Sequence, residues 1–138
     1  MTSEEIRYTW RGNVTDDELS TLHAAAFGHA GLTESWNDRL GRHSLGWVIA
    51  RWGTHVVGFV NAVGDGGRHA FLVDTAVSPT HQRAGIGRAL VRHAIAGCRD
   101  SGAAWVHVDF EPHLASFYLT PTTFASTPAG LMDLTVEK

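Results

Sequence analysis

The sequence predicts an α/β protein of the α+β kind, built on a central mixed, mostly antiparallel sheet that contains one parallel pair of strands. Three observations predict this fold. Apolar strand-sized segments follow one another across short glycine turns, a strand–helix–strand unit lies downstream, and helical periodicity occurs on either side of the strands. The 138 residues, 43% of them hydrophobic, suit a single domain over 1–138 with one core.

The first part of the chain predicts a strand and two helices. Residues 6–10 alternate enough for an opening strand. Thr15 and Glu18 have the spacing of a capping box at the start of a helix that Gly28 can close. A shorter helix is expected from Thr33, and one face of it would carry Leu32, Trp36 and Leu40.

The middle of the chain predicts an antiparallel meander. Residues 47–52 and 56–63 form two predicted strands joined at Gly53-Thr54. The glycine-rich cluster at 64–67 is a strong turn signal before a third strand over 70–77.

The last part predicts one helical crossover and a closing strand. A helix over 85–98, with a buried stripe of Ile86, Leu90, Ala94 and Cys98, is followed by a strand over 105–110. With the strand before them they complete a strand–helix–strand unit, so those two strands should be parallel. A short helix over 114–118 and a closing strand around 130–136 finish the chain.

The turn before the central helix carries most of the functional information. It reads Gln82-Arg83-Ala84-Gly85-Ile86-Gly87 and joins an apolar strand to an amphipathic helix. The first N–H groups of a helix have no partner inside it, and the helix dipole adds positive charge there, so an anion such as phosphate is the natural ligand. Glycines let a phosphate approach the backbone closely. A tight turn whose glycines serve packing is the open alternative.

Two common phosphate-binding motifs do not fit this turn. The mononucleotide loop needs a Lys-Ser or Lys-Thr pair, and the chain has neither. The dinucleotide fingerprint needs a third glycine where Leu90 stands. A third pattern, Gln/Arg-x-x-Gly-x-Gly/Ala, is met at every position from Gln82 to Gly87. It resembles the pyrophosphate loop of the GNAT superfamily, the acyl-CoA-dependent N-acyltransferases.

The resemblance extends over roughly residues 43–134. Residues 74–79, followed by Gln82, are similar to the family's fourth strand and its exit. Residues 114–118, followed by Phe124, are similar to its second segment. Three positions depart from the family pattern on the acyl-acceptor side: Glu111 in place of Asn, Leu114 in place of Ala and Thr123 in place of Gly.

The resemblance implies a GNAT-like fold whose two parallel strands splay apart at the acyl-CoA site, with acetyl-CoA as co-substrate. The pantetheine would pair with the first of these strands, and the pyrophosphate would bind the loop. The implied cofactor-binding residues are Ala76, Val77, Gln82, Arg83, Ala84, Gly85, Ile86, Gly87 and Arg88. The two arginines suit pyrophosphate oxygens by their fork of donors, or are solvated surface residues.

The implied activity is that of an N-acetyltransferase acting on a primary amine by direct attack through a tetrahedral intermediate. The oxyanion needs a donor, which a strand N–H near Val77 could supply, and the departing sulfur benefits from a proton donor. Tyr118 matches the family's tyrosine in that role, and aromatic packing is the alternative. The alternatives for the whole chain are a non-catalytic acyl-CoA-binding or regulatory module on the same fold, and a nucleotide-binding domain.

The candidate bases are acids at the carboxyl ends of the parallel strands. Asp74 lies near the end of the first strand, Asp109 near the end of the second, and Glu111 and His113 follow in the loop. Their expected convergence would favour shifted pKa values. Glu111 and Asp109 are the leading pair, and each acid could instead bind a cationic acceptor or serve as a loop cap or surface charge. Asp74 could equally be a structural hydrogen-bond acceptor.

Composition limits the partners. The formal net charge of −3 argues against a general affinity for nucleic acid, and the apolar runs fall short of the roughly 20 residues that span a bilayer. The polar N-terminus is unlike a signal peptide, and the single Cys98, expected in the core, fits a reducing cytoplasm. Nine histidines show no metal-ligand spacing, so no metal is expected. The expected partner is a small-molecule or protein amine, with a homodimer left open.

Overall fold

A computed structural model describes residues 5–136 and contains one five-stranded sheet in the order β1-β2-β3-β4-β5. The strands are β1 Ile6–Trp10, β2 Ser44–Trp52, β3 His55–Gly64, β4 His69–Val77 and β5 Trp105–Val108. Neighbours from β1 to β4 are antiparallel, and β4 and β5 are parallel. The predicted mixed, mostly antiparallel sheet with one parallel pair is therefore confirmed.

Four α-helices flank the strands within the described residues. They are α1 Asp16–Phe27, α2 Trp36–His43, α3 Ile86–Asp100 and α4 Ala115–Tyr118. The capping box that starts α1 is present, since Glu18 N donates to Thr15 Oγ1 and Thr15 N donates to Glu18 Oε1. Gly28 closes α1 with φ at 72°. The α2 helix begins at Trp36 rather than Thr33, so Leu32 precedes it and is 78% exposed, contrary to the prediction.

The sheet is covered on both faces. The predicted stripe of α3 is fully buried and packs on Val48 and Ala50 of β2. The opposite face, with Ile49 and Phe59, packs against α1 and α2. Cys98 lies in the α3 layer with no exposed surface, as expected, and burial raises the pKa of its thiol. Within the described residues, no helix has both the length and the apolar character needed to cross a bilayer.

Strand β4 changes face at a bulge. Leu72 packs in the α3 layer, whereas Ala76 packs in the layer of α1 and α2. The register pairs Val73 with Asn61 and Ala76 with Phe59, so β4 has one residue more than β3 between these pairs. Asp74 takes up this extra residue with a left-handed φ of 57°. The bulge turns the Asp74 side chain toward α1 and α2.

The predicted closing strand around 130–136 is wrong. These residues form no strand, and their apolar side chains are exposed: Leu131, Met132, Leu134 and Val136. Asp133 gives a physical reason, because its Oδ1 accepts hydrogen bonds from Thr135 N at 2.8 Å and Thr135 Oγ1 at 2.6 Å. Such a local side-chain turn competes with an extended strand.

Candidate active site

The pairing of the two parallel strands stops well before β4 ends. They pair from His69 with Trp105 to Leu72 with Val108, where β5 ends. Strand β4 continues to Val77 without a partner on that side. This early end of the pairing agrees with the splay implied by the family resemblance, and residues 76–77 lie on the unpaired part of β4. Ligands of open α/β sheets bind at such carboxyl ends.

The loop before α3 presents free backbone donors beside this gap. Residues 82–85 are exposed, and Arg83 and Gly85 are both left-handed, with φ at 67° and 78°. Helix α3 has no side-chain cap, and its first backbone bond runs from Ala89 N to Gly85 O at 3.1 Å. From Gly85 to Arg88, no backbone N–H donates a hydrogen bond to another described residue. This run of donors, with two arginines beside it, is suited to an anion.

The two glycines of the loop have different roles. A Cβ on Gly85 would meet nothing within 4 Å, so this glycine is needed for its left-handed φ and leaves the surface open. A Cβ on Gly87 would lie 3.3 Å from Phe117 Cζ and 3.9 Å from Val77 Cγ2. Gly87 therefore allows α3 to pack closely on α4 and β4, which is the packing alternative for this one position.

Tyr118 lies in a cluster of aromatic rings at the start of the C-terminal segment. The tyrosine is 6% exposed, stacks on Phe110 at 5.0 Å, and meets Phe117 edge-on at 4.7 Å. Thr123, the departure from the family's glycine, donates from Oγ1 to Tyr118 O at 2.7 Å and fixes the end of α4. Tyr118 Oη makes no hydrogen bond to a described residue and is not among the fully enclosed polar atoms without a partner. The ring is fixed while the hydroxyl stays available.

The candidate acids separate into two groups. Asp109, Glu111 and His113 are exposed, and their side chains make no hydrogen bond or ion pair with a described residue. Asp74 is instead held from two helices. Its Oδ1 lies 3.1 Å from His23 Nε2 on α1, and its Oδ2 accepts from Arg39 Nη2 on α2 at 3.0 Å. The structure thus joins Asp74 to α1 and α2 rather than to the other acids.

Sequence reasoning missed the partners of Asp74. His23 Nδ1 lies 2.6 Å from His29 Nε2, and His29 Nδ1 lies 2.8 Å from the Ala30 carbonyl oxygen. The guanidinium of Arg39 stacks 4.0 Å above the ring of Trp36. Trp36 itself is 1% exposed and belongs to the core. The sequence separations, 6 residues from His23 to His29 and 51 from His23 to Asp74, match no metal or catalytic motif. The large number of histidines was the one signal that the sequence offered.

Two cavities lie on the side of α1 and α2. The first, about 410 Å³, is lined by α1, the start of β3 and Ser78, and it includes the carboxylate of Glu18. Hydrogen bonds from Arg51 lower the pKa of Glu18 to about 2, so this carboxylate stays charged and committed to the arginine. The second, about 330 Å³, is lined by residues of α2 and the segment before it, including Trp36 and Arg39. Neither cavity includes residues 82–88 or Tyr118.

Comparisons with known proteins agree with this geometry. The sequence pattern of the Acetyltransferase (GNAT) family matches residues 13–119. The chain is similar to GCN5-related N-acetyltransferase 1, chloroplastic, of Arabidopsis thaliana, with 32% identity over 66% of this chain and 46% of that protein. It is also similar to mycothiol acetyltransferase of Nocardia farcinica, with 32% identity over 75% of this chain and 36% of that protein. The chain therefore spans less than half the length of these two relatives.

Solved structures show the same fold. A GNAT family acetyltransferase from Streptococcus pneumoniae is 25% identical, with a TM-score of 0.67 and coverage of 94% of this chain and 99% of that one. An aminoglycoside acetyltransferase from an uncultured soil metagenomic sample, in complex with trehalose, is 17% identical. Its TM-score is 0.74, with coverage of 96% of this chain and 97% of that one.

Proposed function

Because this chain belongs to the GNAT family of acetyltransferases, we propose that it transfers an acetyl group from acetyl-CoA to a primary amine, by direct attack through a tetrahedral intermediate. The observation that carries the proposal is the run of unpaired N–H donors from Gly85 to Arg88 beside the gap between β4 and β5. The name of the Arabidopsis thaliana relative, an N-acetyltransferase, supports nitrogen as the acceptor atom.

The proposed cofactor site runs along the gap. The pyrophosphate of CoA binds the N–H groups of residues 82–88, and Arg83 and Arg88 provide exposed cationic side chains beside them. The pantetheine arm lies along β4 at Ala76 and Val77, where the strand lacks a parallel neighbour. This arrangement brings the thioester to the end of β4, near the aromatic cluster around Tyr118.

The proposed chemistry needs three groups. A backbone N–H near Val77 stabilises the oxyanion of the tetrahedral intermediate. Tyr118 protonates the departing CoA sulfur, for which its unbonded hydroxyl is suited, since a phenol keeps its proton at neutral pH and a thiolate accepts it. An acid on the acceptor side, among Asp74, Asp109 and Glu111, binds the incoming ammonium or takes its proton.

A thiol-release assay tests the proposal. The purified chain with acetyl-CoA and a panel of primary amines should release free CoA only when a suitable amine is present. Calorimetry with CoA, ATP and NAD in parallel tests the cofactor. Heat with CoA and none with the nucleotides supports the loop assignment, and the absence of heat with CoA would remove the basis of the whole proposal.

The second candidate function is a non-catalytic acyl-CoA-binding or regulatory module. The observation that favours it is the exposed state of Asp109 and Glu111, whose side chains have no partner among residues 5–136. CoA binding without turnover on any amine of the panel would select this reading over the enzyme.

A further inference from the structure

A row of three polar contacts leads from β4 to the surface of α1, and the row has a hydrogen-bond acceptor at each end. The Asp74 carboxylate forms one end, next to His23 Nε2, and the Ala30 carbonyl forms the other, next to His29 Nδ1. The two rings meet in the middle through His23 Nδ1 and His29 Nε2 at 2.6 Å. We call these two rings the His23–His29 pair.

The pair lacks one proton if both rings are neutral. A carbonyl and a carboxylate accept hydrogen bonds and cannot donate them, so each end of the row needs a ring N–H. The middle contact needs a further proton, because two bare ring nitrogens at this distance repel each other. Two neutral imidazoles carry one N–H each, one fewer than these contacts use. These proton positions follow from the acceptors. With all three contacts made, the pair therefore holds one shared excess proton and one positive charge, and the neutral pair makes only two of them.

The groups around the pair place a negative charge at one end of it and solvent at the other. The charged groups that face the pair are Asp74 from β4 and, through the same carboxylate, Arg39 from α2. Aromatic rings enclose His23, with Phe27 centred 4.5 Å away and Trp36 5.3 Å away. The side chain of His23 is 16% exposed and that of Asp74 is 24% exposed, whereas His29 is exposed. The contacts thus run from a half-buried carboxylate to solvent.

A shared metal ion does not explain the cluster. The two nitrogens of His23 lie on different sides of the ring and meet different partners, so the three side chains do not point at one centre. Among residues 5–136 there is no group of three or more metal-ligating side chains placed to hold an ion.

We propose that the His23–His29 pair, anchored by Asp74, takes up the proton that the acceptor ammonium must lose and delivers it to solvent. This inference rests on the proposed acetyl transfer, in which the attacking amine must be neutral although a free amine is mostly protonated near pH 7. Asp74 suits the receiving end because it occupies the β4 bulge, on the same face as Ala76 and before the proposed thioester position.

The proton transfer balances without any further reactant. In the neutral pair the missing proton is at His23 Nε2, which faces Asp74. One N–H bond of the ammonium breaks, the proton passes over a carboxylate oxygen of Asp74, and one N–H bond forms at His23 Nε2. The proton between the rings moves to His29 Nε2, and His29 releases its Nδ1 proton to water. Exchange of ring protons with water, with no net gain or loss, then restores the starting tautomers before the next turnover. The amine is then neutral and can attack the thioester, and no electrons are gained or lost.

The chain offers a matched control in its second histidine pair. His69 Nδ1 and His107 Nε2 lie 2.8 Å apart on the exposed face of β4 and β5. No described acceptor lies at the outer nitrogens of these rings, so two neutral imidazoles satisfy the single contact. This pair should carry no excess proton.

Nitrogen NMR of histidine-labelled protein tests the proton count without reference to activity. As pH falls, His23 and His29 should take up one proton between them in a single coupled step, and His29→Gln should abolish the coupling. His69 and His107 should each take up their own proton, and His107→Gln should not change His23. Independent uptake of one full proton by each of His23 and His29 in the same pH range would overturn the proposal.

The pH profile of kcat/KM tests the catalytic part. With an amine that is turned over, His23→Gln should lower kcat/KM about 100-fold near pH 7, and the exposed His29→Gln about tenfold. Both defects should shrink to within about twofold at a pH where the amine is already neutral, whereas His107→Gln should match the wild type throughout. A defect that is the same at every pH would reduce the pair to a structural element. No turnover by the wild-type protein on any amine would refute the acetyl transfer and the catalytic role together, while the NMR result would still decide the shared proton.

Discussion

Replacing Gly85 by alanine tests whether the left-handed start of α3 is required for CoA. Gly85 has φ at 78°, and a Cβ there meets nothing within 4 Å, so the substitution adds backbone strain without a steric clash. That strain is about 1–2 kcal/mol for a residue with a side chain. Without CoA, the loop of the variant either keeps its shape or relaxes. In the first case the strain lowers the free energy of unfolding, and in the second it weakens CoA binding.

If the loop keeps its shape, Gly85→Ala lowers the free energy of unfolding by the full amount. If the empty loop relaxes, the protein stays stable and CoA binding must restore the strained shape, which raises the Kd by about 5- to 30-fold. The sum of the two losses should therefore equal about 1–2 kcal/mol in either case. Urea unfolding and calorimetric titration with CoA measure the two terms on the same sample.

Gly66 is the matched control for this experiment. It has φ at 79° in the turn between β3 and β4, and a Cβ there also meets nothing within 4 Å. Gly66→Ala should lower the free energy of unfolding to a similar extent and leave the affinity for CoA unchanged. If Gly85→Ala changes neither stability nor affinity, or if Gly66→Ala weakens CoA equally, the proposed role of the left-handed turn is wrong.

Three further variants test the site and the α1 side of the fold. Tyr118→Phe keeps the aromatic contacts and should lower kcat about 100-fold while the Kd for CoA stays within about twofold; equal kcat would leave Tyr118 a packing residue. Thr123→Val removes the hydrogen bond to Tyr118 O and should lower the free energy of unfolding by about 1 kcal/mol in urea, with a smaller fall in kcat; unchanged stability would contradict this role. Arg51 lowers the pKa of Glu18 from 4.5 to about 2, so the charged pair stabilises the fold above pH 4.5 and this contribution is lost as pH falls toward 2. Glu18 is a third exposed, so we expect a contribution of about 1 kcal/mol after screening. Glu18→Gln preserves the capping box and should make the fall in unfolding free energy between pH 5 and 2 smaller by about that amount; an unchanged acid profile would show that the pair contributes nothing.

The periodic parts of the fold could be predicted from sequence because their signals are local. The stripe of α3 and the capping box of α1 each depend on residues within a few positions of one another, and both are confirmed. The closing strand was wrong because its apolar alternation says nothing about a partner strand or about the local turn at Asp133.

The acceptor side of the site could not be predicted in the same way. The bulge at Asp74 needs a left-handed φ that aspartate tolerates but does not signal, and it decides which helices the carboxylate meets. His23 and Arg39 come from separate helices and reach Asp74 only in the folded chain. In contrast, the loop of residues 82–88 could be proposed as the cofactor site from sequence, because the chemistry expected of it depends on the backbone and on one short motif.

The buried position of the lone cysteine has a practical consequence. Cys98 has no exposed surface in the folded chain, so the protein's own thiol does not react with a chromogenic disulfide reagent. Such a reagent therefore detects the thiol of released CoA without a contribution from the protein. The same reagent also measures the rate of local opening, since labelling of Cys98 requires α3 to separate from the sheet. Colour that develops slowly without substrate would therefore time that opening directly.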